Sequence, residues 1–110
     1  MATERYGKLK GLRPADTSEA TLWEVPEEWQ GVFRVTICNQ DTVSRSYRLA
    51  QVSSNTAASS TDWLAYDLKI PANATHRWVM EMYGSETIRV KASVADKLTF
   101  IVSGLTLIPS

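Results

Sequence analysis

The chain has 110 residues, 12 Lys and Arg against 12 Asp and Glu, one His and one Cys, which is the size of one domain and too short for two. Apolar residues make up 44% and charged residues 22%, which argues against disorder and against a membrane protein, and folding hides about two-thirds of the unfolded surface at this length, enough for a core without staples. Zero net charge removes the basic excess that displaces counterions from nucleic acid, and a lone Cys38 excludes an intrachain disulfide, a two-Cys redox motif and a multi-Cys metal site.

Residues 1–18 mix charge with Gly7, Gly11 and Pro14 and keep neither the helical nor the strand period, which predicts an extended amino-terminal arm. Tyr6, Leu9 and Leu12 are spaced apolar anchors within it, able to lie across a sheet or to reach a neighbouring subunit. Met1 to Lys10 carries no apolar signal region, and no run approaches the ~18 apolar residues of a membrane span. The expectation is a soluble protein, not exported by the usual signal and folded in a reducing compartment.

Residues 19–110 read as a succession of short strands bounded by turn chemistry. Ala20 to Val25 stops at Pro26, and Val32 to Asn39 places Phe33, Val35 and Ile37 on one face. Asn39 to Thr42 reads as a turn, and Ser46 to Val52 as a strand of ambiguous burial that forms a hairpin with the one before it. Ser53 to Thr61, small and polar, reads as a long mobile loop. Trp63 to Ile70 sets Leu64, Tyr66, Leu68 and Ile70 on one face and breaks at Pro71 to Ala74. His76 to Tyr83, Glu86 to Ala92 and Lys97 to Ile108 complete the set, and only Ser93 to Lys97 could make a helical turn. The fold expected is all-β: an antiparallel β-sandwich, jelly-roll or Ig-like, of about seven or eight strands behind the arm.

Chemistry is sparse. His76 is the only histidine, no G-x-S-x-G elbow surrounds any Ser, and a strand-edge or half-buried imidazole accounts for it. Cys38 and His76 would need two further ligands without recognisable spacing to hold zinc. Glu27 and Glu28 lie in a polar turn and Asp67 on an outward strand position, not as a glycosidase pair. Phosphate-loop and dinucleotide fingerprints are missing. No catalytic, cofactor or metal residue is therefore assigned, and the protein is expected not to be an enzyme.

The four tryptophans stand out. Trp63 and Trp78 lie in strands and read as core filling, with each indole N–H reaching a carbonyl. Trp29 sits in the turn Pro26 to Gly31, where an indole is exposed to partners or folds back over the end of the sandwich. Trp23 is intermediate, and Cys38 reads as a small buried hydrophobe. The candidate interaction residues are Tyr6, Leu9, Leu12, Trp23 and Trp29.

Several of these stretches, in order, resemble small β-sandwich virion proteins of tailed bacteriophages. Ala20 to Pro26 is similar to their T-L-Y-x-V-P-A-G strand and turn, and Val35 to Asn39 to their V-x-V-C-N strand. Asp62 to Asp67 resembles Y-I-x-Y-D, Ile70 to Thr75 the P-A-N-D-T turn, Glu86 to Ser93 D-x-I-x-V-x-A-S, and Phe100 to Gly104 F-x-V-x-G. The chain departs from the pattern where Pro26 to Gly31 replaces a short P-A-G turn. The resemblance implies a virion structural protein, homo-oligomeric, assembled in the bacterial cytoplasm and docked on the major capsid protein as cement or decoration, or on tail or baseplate proteins. Neither nucleic acid nor membrane is expected as a partner. The competing expectation is an adhesin-like tail-fibre module that holds a glycan through Trp29 and Trp63.

Overall fold

The computed structural model describes residues 7–109, with side chains described over 8–104. Eight strands follow one another: β1 (Gly7–Leu12), β2 (Ala20–Glu24), β3 (Trp29–Asn39), β4 (Arg45–Val52), β5 (Trp63–Ile70), β6 (Thr75–Tyr83), β7 (Thr87–Ala92) and β8 (Leu98–Pro109). They form two four-stranded sheets, ordered β1-β8-β3-β6 and β2-β7-β4-β5, and every pairing is antiparallel. Only β4 and β5 are consecutive neighbours in one sheet, and every other connection crosses between the layers. This is the eight-stranded jelly roll, in which Greek-key crossings bring the first and last strands together.

The core follows from period-two alternation. Phe33, Val35 and Ile37 from β3, Leu98, Phe100 and Val102 from β8, Ile88 and Val90 from β7, and Tyr47 and Leu49 from β4 all point between the sheets and are fully or almost fully buried. Each side chain of this size removed from water contributes about 1.5–3 kcal/mol against chain entropy.

Several expectations are corrected. Residues 7–12 of the expected arm are β1, the edge strand beside β8, with Leu9 and Leu12 half-buried against the core; Tyr6 lies outside the described residues. β3 and β4 do not form a hairpin, because each buries its inward row against the opposite layer, so β3 lies between β8 and β6 and β4 between β7 and β5. Ser93 to Lys97 is a non-helical turn with Asp96 at φ 59°. Cys38 is half-buried, because the inward register of β3 falls on its neighbours Ile37 and Asn39.

The stretch 53–61, expected to be a mobile loop, lies back over the outer face of its own sheet. Thr87 Oγ1 donates to the Ser54 carbonyl at 3.0 Å, and the Ala58 N–H donates to Glu19 Oε2 at 3.0 Å. Glu19 is ion-paired with Arg89, which also donates to Thr21 Oγ1 at 2.6 Å. Ala50, Val52 and Thr87 are buried on this outer face. That resolves the ambiguity of β4, since both of its faces are covered along this half.

Candidate interaction surface

The sheet order places two free edges, β5 and β6, on one side of the sandwich and the other two, β1 and β2, on the opposite side. On β5 the row Leu64, Tyr66, Leu68 and Ile70, expected on one face, is split: Leu68 and Ile70 keep the register of Tyr47 and Arg45, whereas Leu64 and Tyr66 turn to the other side. Asp67 adopts φ 53°, and the β4 register skips between Tyr47 opposite Leu68 and Leu49 opposite Ala65. This is a β-bulge, and the extra residue shifts which side chains face in. Ala65 and Ile70 are buried, while Leu64, Tyr66 and Leu68 are exposed, Tyr66 by 58%.

An aromatic cluster stands on the outer face beside this bulge. Trp63 meets Tyr66 edge-on, with centroids 5.6 Å apart. The Arg48 guanidinium lies 3.8 Å over the Tyr66 ring, a cation–π contact. Arg48 also grips Asp67 with two bonds, Nε to Oδ1 at 2.7 Å and Nη2 to Oδ2 at 3.0 Å. The bond from Arg48 holds the Asp67 carboxyl below its ordinary range, and Asp67 in turn holds the Arg48 guanidinium more firmly protonated. Trp63 and Tyr66, with Ala58, Ser59 and Ser60, line an open cleft of about 460 Å³.

β6 alternates more simply. His76, Trp78, Met80 and Met82 form its inward row, and Thr75, Arg77, Val79, Glu81 and Tyr83 are all exposed, Val79 by 62% and Tyr83 by 67%. Trp78 Nε1–H donates to Tyr47 Oη at 2.9 Å, and the same hydroxyl is 2.9 Å from His76 Nδ1. The partner of this indole is thus a hydroxyl rather than the carbonyl expected from sequence. With Trp78 donating to the oxygen, the arrangement that satisfies all three groups has the Tyr47 O–H donating to Nδ1, leaving the imidazole proton on Nε2. Burial pushes the Tyr47 phenol above its ordinary value, against the donation from Trp78, so the hydroxyl keeps its proton.

The tryptophans named from sequence lie elsewhere. Trp23 packs on Phe33 with centroids 5.2 Å apart. Trp29 closes the turn and is the first residue of β3; its N–H donates to the Pro26 carbonyl at 3.0 Å, and its indole is half-buried against the core. The structure therefore does not gather Leu9, Leu12, Trp23 and Trp29 with the β5 and β6 surface. Val79 and Tyr83 were within reach of sequence reasoning, because they share a row with Arg77 and Glu81. Tyr66 was not, because its exposure depends on the bulge. Among the described residues no His, Cys, Asp and Glu side chains gather in a group that could hold a metal ion.

No family model and no curated sequence matches this chain. Among solved structures it is similar to a protein of Bacillus endospore appendages, described as disulfide-linked pili, with TM-score 0.58 and 9% identity over 99% of this chain and 88% of that one. The coat protein of Tobacco streak virus matches with TM-score 0.57 and 8% identity, over 97% of this chain and 86% of that one. A nora virus chain matches at TM-score 0.51 and 8% identity, over 99% of this chain and 57% of that one. At such identities the likeness is one of fold: an antiparallel jelly-roll sandwich that also serves in capsid and pilus subunits.

Proposed function

We propose that this chain is a non-catalytic structural subunit of a tailed-bacteriophage particle, seated in several copies on the major capsid protein as cement or decoration, or on tail or baseplate proteins. The observation that carries this reading is the row of exposed apolar side chains, Leu64, Tyr66, Leu68, Val79 and Tyr83, along the two free edges on one side of the jelly roll. Apolar surface gathered on one side is what a docked partner covers. The resemblance of its strands and turns to phage virion proteins supports the choice of particle. The half-exposed rims of Leu9, Leu12, Trp23 and Trp29 add contact surface in this reading, as does Tyr6.

The simplest test of the expected arm, deleting residues 1–17, would also strip β8 of a strand partner, so point changes are the cleaner probe. Purified particles should contain the chain by mass spectrometry. A variant with Tyr66→Ser, Leu68→Ser and Tyr83→Ser should fold and be depleted from particles. Absence of the wild-type chain from particles, or equal incorporation of the variant, would overturn the reading.

A second reading, an adhesin-like glycan-binding module, is favoured by one feature, the cleft between the Trp63–Tyr66 pair and Ser59 and Ser60. Aromatic faces accept the C–H side of a sugar ring while hydroxyls bond its oxygens. On this reading oligosaccharides quench tryptophan fluorescence saturably and Trp63→Ala abolishes the effect; a flat titration against a glycan panel rejects it.

A further inference from the structure

We infer that β6 is a self-pairing edge through which two copies of this chain join antiparallel, about a two-fold axis at Val79, fusing their four-stranded sheets into one of eight strands. The inference deepens the assembly reading above and rests on it.

The backbone of β6 is open over its middle, from Thr75 to Glu81, while Tyr83 is closed to a ladder, its carbonyl accepting the Glu86 N–H at 3.2 Å. Residue Ala74, just before the strand, directs its carbonyl to Asn39 N–H on β3 at 2.9 Å. At the other end, side chains from outside the sheet reach the odd-numbered residues. Gln51 Nε2–H donates to the Glu81 carbonyl at 2.9 Å, and the Tyr83 N–H donates to Glu86 Oε1 at 2.8 Å. In an antiparallel ladder alternate residues bond to opposite sides, so the N–H and C=O groups of Thr75, Arg77, Val79 and Glu81 point away from β3. Gln51 uses one lone pair of the Glu81 carbonyl and leaves the other. An open edge of this kind is a template for another strand.

The outward side chains select both the partner and the register. Among Thr75, Arg77, Val79, Glu81 and Tyr83, opposite charges stand at equal distances on either side of Val79. An axis there sets Arg77 opposite Glu81 of the second copy, twice by symmetry, with Val79 against its own mate. An axis at Arg77 or at Glu81 would instead oppose like charges, which is unfavourable in directly facing pairs. Among the described residues neither Arg77 nor Glu81 is ion-paired within its own chain. A two-fold contact of one strand with itself is isologous and closes at two copies.

The test is sedimentation velocity over a concentration series, with circular dichroism to check the fold. The wild-type protein should pass from monomer to dimer as concentration rises. Arg77→Glu should weaken the dimer at least about tenfold, since it replaces both cross-strand attractions by repulsions, and Arg77→Glu with Glu81→Arg should restore it. Val79→Pro should also abolish the dimer while keeping the fold, because that N–H is outside the intramolecular ladder. A wild-type protein that stays monomeric, or a dimer indifferent to Arg77→Glu, would overturn the inference. If such a protein still enters particles, the edge is wrong and the assembly reading stands; if the dimer forms as expected but no particle contains the chain, the reverse holds.

Discussion

Asn39→Ala should destabilise the protein by about 3 kcal/mol, and Asn39→Asp by more. Asn39 ends β3 on its inward register and is fully buried. Its Nδ2 donates to the carbonyls of Val43 at 3.0 Å, Ile70 at 3.0 Å and Pro71 at 3.1 Å, while Oδ1 accepts the Asp41 N–H at 2.9 Å. One amide therefore ties β3, the crossing to β4 and the end of β5. Alanine removes the amide donor from the Val43 and Ile70 carbonyls and the acceptor from the Asp41 N–H, while the Pro71 carbonyl keeps the Ala74 N–H at 3.1 Å. Aspartate keeps the acceptor but sets a group with no donor, when ionised, against the three carbonyls. Next to it, Asp41 accepts the Arg45 Nε–H at 2.7 Å and the Thr42 N–H at 2.7 Å, and these bonds, that from Arg45 foremost, hold its carboxyl below the ordinary range. Urea unfolding should show the loss as a lower midpoint at constant slope, and the melting temperature should fall by roughly 12–24 °C for Asn39→Ala. Wild-type stability in either variant, or an Asn39→Asp protein no worse than Asn39→Ala, would refute the role of this corner.

At the opposite end of the sandwich, Gly84→Ala should be comparably damaging, by about 3 kcal/mol. The turn from β6 to β7 locks into the turn after β2: Ser85 N–H donates to the Val25 carbonyl at 2.9 Å, and Val25 N–H to that of Glu86 at 2.9 Å. A Cβ on Gly84 would overlap the Glu27 carbonyl oxygen and lie 2.6 Å from its carbon and 2.9 Å from the Pro26 oxygen. Those atoms are backbone, so no side chain can swing aside, and one turn must move. The neighbouring Ser85 provides the contrast. It sits at φ 71°, where glycine is unstrained, so Ser85→Gly should be neutral or stabilising by up to about 1 kcal/mol. Thermal melts of the two variants side by side check this, and a Gly84→Ala protein that melts with the wild type would show that the two turns are not interlocked.

Both positions bear on what could be read beforehand. Asn39 closes a row in which Phe33, Val35 and Ile37 alternate inward, but its residue type reads as the start of the turn to Thr42, and its burial shows only in the fold. Its three acceptors were not visible, since Ile70 and Pro71 lie 31 and 32 residues away. Gly84 showed nothing, because its constraint comes from a backbone segment that the fold brings alongside. The candidate site divided similarly. The mixed row Arg77, Val79, Glu81, Tyr83 marks an outward face by its charges, whereas Trp23 and Trp29 drew attention by residue type and are half-buried against the core.

Alternating apolar residues and regularly spaced turn residues were enough to specify an all-β sandwich, most of its strands and most of its inward rows, because those depend on neighbours two residues apart and on local backbone preference. Which strands pair, that residues 7–12 join a sheet, that the segment after β4 covers an outer face, and that a left-handed Asp67 turns Tyr66 outward were settled only by the packed fold. Each of these depends on contacts between distant parts of the chain, where burial of the whole core outweighs local pattern.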